Sequence, residues 1–168
     1  PERWVANYTN SLNGLACSYS KADRTADALA LYEEALDILK TRYTQDSEHW
    51  TILYTDCLTG LANSYRNVGR KSDAIALCKE ALVIRKARYT QNPEDEAEGY
   101  TFSLTSLALS YQKVGQLADS IALLEETLDI RKARYTQDPE YWAENYTNIL
   151  FILACSYSQI DRTADAIA

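Results

Sequence analysis

The 168-residue sequence has no methionine and only three prolines, five glycines and one histidine. No apolar run approaches the roughly 20 residues needed to span a bilayer, and no signal-peptide pattern of basic, apolar and small residues is visible. We therefore expect no contact with a membrane. A single histidine and the absence of a Cys-x-x-Cys pair give no metal-ligand spacing, and no glycine-rich phosphate loop occurs. We expect no metal, no cofactor and no catalytic residues.

Basic charge is scarce as well, since the formal net charge is −7. Nucleic acid demands a concentrated basic surface, so we expect no nucleic-acid partner. The two RKAR clusters (85–88 and 131–134) fall where helices are predicted to end, which is where the helix dipole favours cations. The four scattered cysteines predict reduced, mostly buried thiols and an intracellular, cytoplasmic location.

The most informative feature is an internal repeat of 46 residues. The segment RKARYTQDPE (131–140) has relatives RKARYTQNPE (85–94) and LKTRYTQDSE (39–48). The copies occupy 1–46, 47–92, 93–138 and, in part, 139–168, and ten columns are identical in all four. We expect these copies to form a single domain, because repeats of this length build stacked arrays.

Each copy predicts two helices. The first opens at Asn92-Pro93 or Asp138-Pro139, a helix cap followed by proline at the first helical position. About 20 residues later, a residue in the left-handed backbone conformation is predicted to end this helix. The four copies have Asp23, Gly69, Gly115 and Asp161 at this column of the repeat. The second helix runs to the RYTQ phrase, so this phrase is predicted to join two copies. Tyr43 and its equivalents should pack there, as should Trp4, Trp50 and Trp142.

The column pattern Leu12-x2-Leu15-Ala16-x2-Tyr19, followed by Ala28-x3-Tyr32 and Ala35, resembles the tetratricopeptide repeat. The resemblance implies an all-α, right-handed superhelical solenoid of antiparallel helix pairs. Lysine stands where the family has its closing proline, and the period is longer than usual. The chain is therefore most similar to the long-helix repeats of kinesin light chains and NB-ARC-type signalling proteins.

Comparison of the copies separates two faces of the first helix. Constant columns (Tyr8, Leu12, Leu15, Ala16, Tyr19) share one face and predict the packing surface. Variable columns lie on another face, which in tetratricopeptide arrays lines a concave groove. The resemblance thus implies these partner-binding residues: Asn10, Asn13, Cys17, Ser20, Asp56, Thr59, Asn63, Arg66, Phe102, Thr105, Leu109, Gln112, Asn148, Phe151, Cys155 and Ser158.

The resemblance implies a non-catalytic scaffold that binds a protein or an extended peptide. Asparagine can donate to and accept from a peptide backbone, and Phe102 and Phe151 would suit a hydrophobic anchor. Two alternatives remain open at this stage. The variable face can be a solvated surface that has drifted between copies, and the array can be a sensor or oligomerisation segment of a larger switch protein. The acidic PEDEAE segment (93–98) is interpreted as a solvated helix cap.

The fourth copy holds only the beginning of its second helix. We expect the array to continue in a longer protein, because stacked repeats normally end in a polar cap. We also expect that the open apolar surface of this copy allows end-to-end self-association.

Overall fold

The computed structural model describes residues 2–167, with side chains up to residue 160. Within that range the secondary structure is helical, without strands, and consists of α1 (Glu2–Lys21), α2 (Thr25–Gln45), α3 (Ser47–Asn67), α4 (Lys71–Gln91), α5 (Pro93–Gln112), α6 (Leu117–Gln137) and α7 (Pro139–Ile167). The chain forms two compact units: unit 1 ends at Ile84 and unit 2 begins at Arg85, inside α4.

A single residue joins each second helix to the next first helix. Asp46, Asn92 and Asp138 occupy these joints, and their side-chain oxygens accept hydrogen bonds from the backbone N–H groups three residues later. Each side chain thereby satisfies one of the N–H groups left without a partner at a helix start. The predicted caps are confirmed, and the repeated RYTQ phrase is the joint between copies.

The predicted left-handed turns are confirmed at three positions. The backbone φ is 59° at Asp23, 81° at Gly69 and 80° at Gly115. At each turn the backbone N–H of the following residue donates to the backbone carbonyl of the tyrosine five residues earlier. This tyrosine occurs at the same column in every copy of the repeat. This geometry closes a helix by satisfying its last carbonyls, and it lets the second helix return along the first.

The prediction of a fourth turn at Asp161 is wrong. The helix α7 continues without interruption from Pro139 to Ile167. In the first copy the turn at Asp23 leads into α2, whose buried residues pack along α1. Continued helical hydrogen bonding satisfies the backbone groups of α7 up to Ile167.

In unit 1 the buried residues of α2 lie on one face of the helix, and tyrosines of the first helices contact the second helices. These buried residues are Ala28, Tyr32, Ala35 and Leu39, whose spacing places them on one helix face. The Tyr54 hydroxyl donates to Glu80 at 2.5 Å. The Tyr54 ring also stacks on Tyr43, with ring centroids 4.7 Å apart, so the predicted packing of tyrosine at the joint is confirmed.

Unit 2 repeats these contacts. Tyr89 stacks on Tyr100, Tyr135 stacks on Tyr146, and the Tyr100 hydroxyl donates to Glu126. The apolar core between α5, α6 and α7 contains Ala108, Ile121, Leu124, Ile149 and Leu153. The constant columns are buried on α3 and largely on α5, as predicted, whereas Tyr8 and Leu15 on α1 and Leu150 and Tyr157 on α7 are exposed.

Two charged segments differ from expectation. Arg85 and Arg131, which belong to the RKAR clusters predicted at helix ends, are buried in unit 2. Glu96, in the segment interpreted as a solvated cap, is also buried and forms ion pairs with Arg85 and Arg88. The repeat explains this, because Glu96 stands in the column that holds tryptophan in the other copies. Trp50, Glu96 and Trp142, which share this column, are all buried.

The tryptophan prediction holds for two of three residues. Trp50 and Trp142 are 2% and 8% exposed, whereas Trp4 is 68% exposed and stacks on Tyr8. In unit 1, α2 precedes α3 and covers its tryptophan-bearing face, but no described helix covers the same face of α1. Burial at this column therefore depends on a neighbouring helix.

The prediction of mostly buried thiols is wrong for half of the cysteines, since Cys57 and Cys78 are buried and Cys17 and Cys155 are exposed. Burial raises the pKa of Cys57 to about 12, with a smaller contribution from Asp56.

Because the thiolate is the reactive form, we expect dithionitrobenzoate at about pH 8 to modify Cys17 and Cys155 rapidly. Cys57 and Cys78 should react only after denaturation. Equal rates for all four thiols in the folded chain would contradict this packing.

Candidate partner-binding surface

In unit 1 the candidate residues lie on α1 and α3. Asn10, Cys17 and Asp56 are exposed, and Asn13 and Asn63 are half-buried. The two helices are linked near their C-terminal ends, where the hydroxyls of Ser20 and Ser64 are 3.2 Å apart. This arrangement gives a polar surface that is fixed on two packed helices.

Two amide oxygens on this surface have no partner. Oδ1 of Asn13 and Oδ1 of Asn63 are buried, and neither has a hydrogen-bond donor within the described residues. A buried acceptor without a donor costs about 1–3 kcal/mol, and most native structures avoid it. The surface thus contains two acceptors whose hydrogen-bonding capacity is unused within the chain.

Three further candidate residues of unit 1 are partly or fully buried, and two of them form hydrogen bonds within the chain. Thr59 is a correction to the candidate set, because its side chain is buried and its hydroxyl donates to the backbone carbonyls of Thr55 and Asp56. It cannot contact a partner. Arg66 is half-buried, and burial lowers its pKa. The hydroxyl of Ser20 is already paired with Ser64.

In unit 2 the candidate residues lie on α5 and α7, and this surface is more apolar. Phe102 is 47% exposed and Phe151 is 70% exposed. The exposed polar and thiol side chains beside them in sequence are Asn148, Cys155 and Ser158, while Thr105, Leu109 and Gln112 are half-buried. The two units therefore present different chemistry in the same columns of the repeat.

Two hydrogen bonds tie α5 to α7 at either end of this surface. Gln112 Nε2 donates to the Ser156 hydroxyl at 2.7 Å, and the Tyr141 hydroxyl donates to Glu98 Oε2 at 3.0 Å. Tyr141 and Glu98 were not in the predicted set. Helical spacing could have identified them. Their columns of the repeat continue the variable face of the first helix in steps of three and four residues towards its N-terminus.

Within the described residues there is no cluster of histidine, cysteine, aspartate and glutamate that could hold a metal ion. Over that part of the chain, no helix combines the length and the apolar character required to cross a bilayer. What the fold offers instead is exposed side chains held on paired helices. Paired helices built from a repeated sequence define a helical-repeat protein.

The repeat family follows from a comparison of sequences. The profile described as tetratricopeptide repeat matches residues 9–45, 55–89 and 103–138, which together make up more than half of the chain. The chain belongs to the tetratricopeptide repeat family, and the resemblance seen in the sequence is confirmed. Repeats of this family mediate protein–protein interaction and are typically non-catalytic.

A comparison of structures supports the same fold. The chain is similar to a crystal structure of nearly identical TPR-like repeats assigned to a kinesin light chain of Podosopora anserina, with a TM-score of 0.72 and 21% identity. The similarity covers 94% of this chain and 69% of that one. The fold is an all-α, TPR-like solenoid. No curated protein sequence matches the chain.

Proposed function

We propose that the chain is a protein-interaction scaffold that binds an extended peptide segment of a partner on the α1–α3 surface. The observation that carries this proposal is the pair of buried, unpartnered oxygens of Asn13 and Asn63. A peptide in extended conformation presents backbone N–H groups along its edges. The Asn13 and Asn63 side chains are half-buried, so rotation of their amides would bring the oxygens to the surface, where two of these groups would supply the donors that the folded chain does not provide.

The surface of unit 2 would bind apolar side chains of a partner. Phe102 and Phe151 are large, exposed and held on helices, and aromatic side chains of this kind often dominate binding energies. The four cysteines are free, which agrees with a reducing, intracellular setting for this function.

The polar surface is tested by selecting binders from a library of random 12-residue peptides and measuring their affinity for variants. We expect Asn13→Ala with Asn63→Ala to weaken selected peptides by about tenfold or more, because each lost hydrogen bond contributes about 0.5–1.5 kcal/mol. The free energy of unfolding should stay the same or rise, since the substitution removes two unpaired buried acceptors and alanine favours helix.

The matched control is Asn7→Ala with Asn67→Ala, two exposed asparagines on the same helices. This pair should leave peptide affinity unchanged. If both double variants bind selected peptides equally well, the α1–α3 surface is not the binding site. The unit 2 surface is tested in the same assay with Phe102→Ala and Phe151→Ala, against the exposed Val83→Ala on α4.

A further inference from the structure

The two first helices of unit 2 carry charge of only one sign. The helix α5 has four carboxylates and no lysine, arginine or histidine. The helix α7 has two carboxylates and no basic residue up to position 160. The first helices of unit 1 differ, because they carry basic residues as well, among them Arg3 and Arg66. The α5–α7 surface is therefore the acidic one.

On this surface an exposed carboxylate is accompanied by two exposed aromatic rings. The Tyr141 hydroxyl of α7 donates to Glu98 Oε2 of α5 at 3.0 Å, and Tyr141 is 58% exposed. Phe102 follows Glu98 by one helical turn, which places the two side chains on the same face of α5. The Tyr141 ring contacts the buried Trp142 edge to face, with centroids 5.6 Å apart. We call Glu98, Phe102 and Tyr141 the acidic aromatic cluster.

The exposure of this cluster is a property of its columns in the repeat. Ile52 and Asp56 of α3 stand in the columns of Glu98 and Phe102, and they are exposed as well. The column of Tyr141 is exposed on α1, α3 and α5 too. Access to the cluster therefore does not depend on the place of a helix in the chain.

Within the described residues the Glu98 carboxylate forms no ion pair. Its hydrogen bond from Tyr141 uses Oε2, so Oε1 remains available as an acceptor. Arg131 of α6 interacts with Glu98 through charge without direct contact, because it is buried and donates to the backbone carbonyl of Asn145. An exposed carboxylate beside aromatic faces attracts a cation, both by charge and by the ring quadrupoles.

We propose that the acidic aromatic cluster binds an arginine side chain of the partner. A guanidinium is planar, so it can stack on the ring of Phe102 or Tyr141 while its N–H groups donate to the Glu98 carboxylate. The absence of basic residues on α5 and on α7 up to position 160 makes the charge of the surface complementary to this occupant. The proposal rests on the proposed function, because it names the chemistry of the partner segment that the unit 2 surface binds.

The test is a nuclear magnetic resonance titration of the full chain with the acetylated and amidated peptide Ala-Leu-Arg-Leu-Ala. We expect saturable shifts of the ring signals of Phe102 and Tyr141. The same peptide with glutamine in place of arginine should bind about tenfold more weakly, and the lysine version should be intermediate because an ammonium group does not stack. Higher ionic strength should weaken the arginine peptide, because salt screens an exposed ion pair.

The variant that isolates the charge is Glu98→Gln, since glutamine keeps an acceptor for the Tyr141 hydroxyl. It should weaken the arginine peptide by about tenfold. The matched control is Glu140→Gln, the same change at an exposed position of α7, which should leave the affinity unchanged. Equal binding of the arginine peptide to the parent and to Glu98→Gln would overturn the proposal.

The glutamine peptide separates this proposal from the proposed function. If it shifts the Phe102 signals and binds as tightly as the arginine peptide, only the assignment of arginine fails. If neither peptide shifts the signals of Phe102 or Tyr141, the proposal fails together with the apolar binding surface of unit 2. The α1–α3 surface has its own test, since neither Asn13 nor Asn63 belongs to this cluster.

Discussion

Glu96→Ala is expected to lower the free energy of unfolding by about 3–5 kcal/mol, because it removes the carboxylate that pairs with the buried Arg85. Glu96 Oε2 lies 3.4 Å from Arg85 Nη1, and Glu96 Oε1 lies 2.6 Å from Arg88 Nη2. Glu96 and Arg85 are both buried. Urea denaturation followed by circular dichroism measures the effect. Glu94→Ala, an exposed carboxylate in the same helical turn, is the control and should cost less than about 1 kcal/mol.

The repeat itself supplies a rescue for this variant. Leu39 and Trp50 stand in the columns of Arg85 and Glu96, and both are buried. Buried ion pairs can often be replaced by apolar side chains of similar volume without loss of stability. We therefore expect Arg85→Leu with Glu96→Trp to recover most of the stability lost in Glu96→Ala. A double variant as unstable as the single one would show that the ion pair, and not the filling of the joint, stabilises this position.

Gly60→Ile is expected to destabilise unit 1 by about 3 kcal/mol, at the upper end of the range for overpacked cores. Its Cβ alone would lie 2.5 Å from a carbon of the Tyr32 ring, and the branched side chain adds further overlap. The ring cannot move freely because Tyr32 is buried between helices. Chemical denaturation again measures the loss.

Two variants give this prediction its controls. Gly14→Ile makes the same change in the same column of the repeat, where the space is open, so it should be neutral or slightly stabilising. Tyr32→Leu combined with Gly60→Ile recreates the pair Leu124 and Ile152 of unit 2, which pack in one core, and it should restore stability. Equal effects of isoleucine at positions 14 and 60 would contradict the packing of Tyr32 over Gly60.

These two predictions rest on positions that differ between copies. The chain places Tyr32 opposite Gly60, and it places Arg85 beside Gly99, where an added Cβ would lie 2.6 Å from Arg85 Nη1. In each case a large side chain on a second helix meets a glycine on the following first helix. The sequence shows the columns, but only the packed helices show which columns face each other.

The candidate surface was less predictable than the fold. Helical spacing selects a face of each first helix, yet it does not distinguish an exposed Asp56 from a buried Thr59 three residues later. Neighbouring helices decide that difference, because α1 and α3 approach each other towards their C-terminal ends at Ser20 and Ser64. The same reason explains why the unpaired oxygens of Asn13 and Asn63 could not be foreseen.

The sequence by itself determined the helices, their caps and most of their ends. The caps at Asp46, Asn92 and Asp138 and the turns at Gly69 and Gly115 follow from local backbone preferences. Such preferences act over a few residues and can be read directly from the chain.

Only the tertiary structure decided whether a given segment turns or continues. The sequence DRTADA occurs twice, from Asp23 and from Asp161. At Asp23 the backbone adopts φ 59° and the chain returns as α2, whereas at Asp161 it remains within α7. A left-handed aspartate is unfavourable by itself, so it forms where the burial of a returning helix outweighs that cost. Local sequence permits the turn, and packing against a second helix makes it stable.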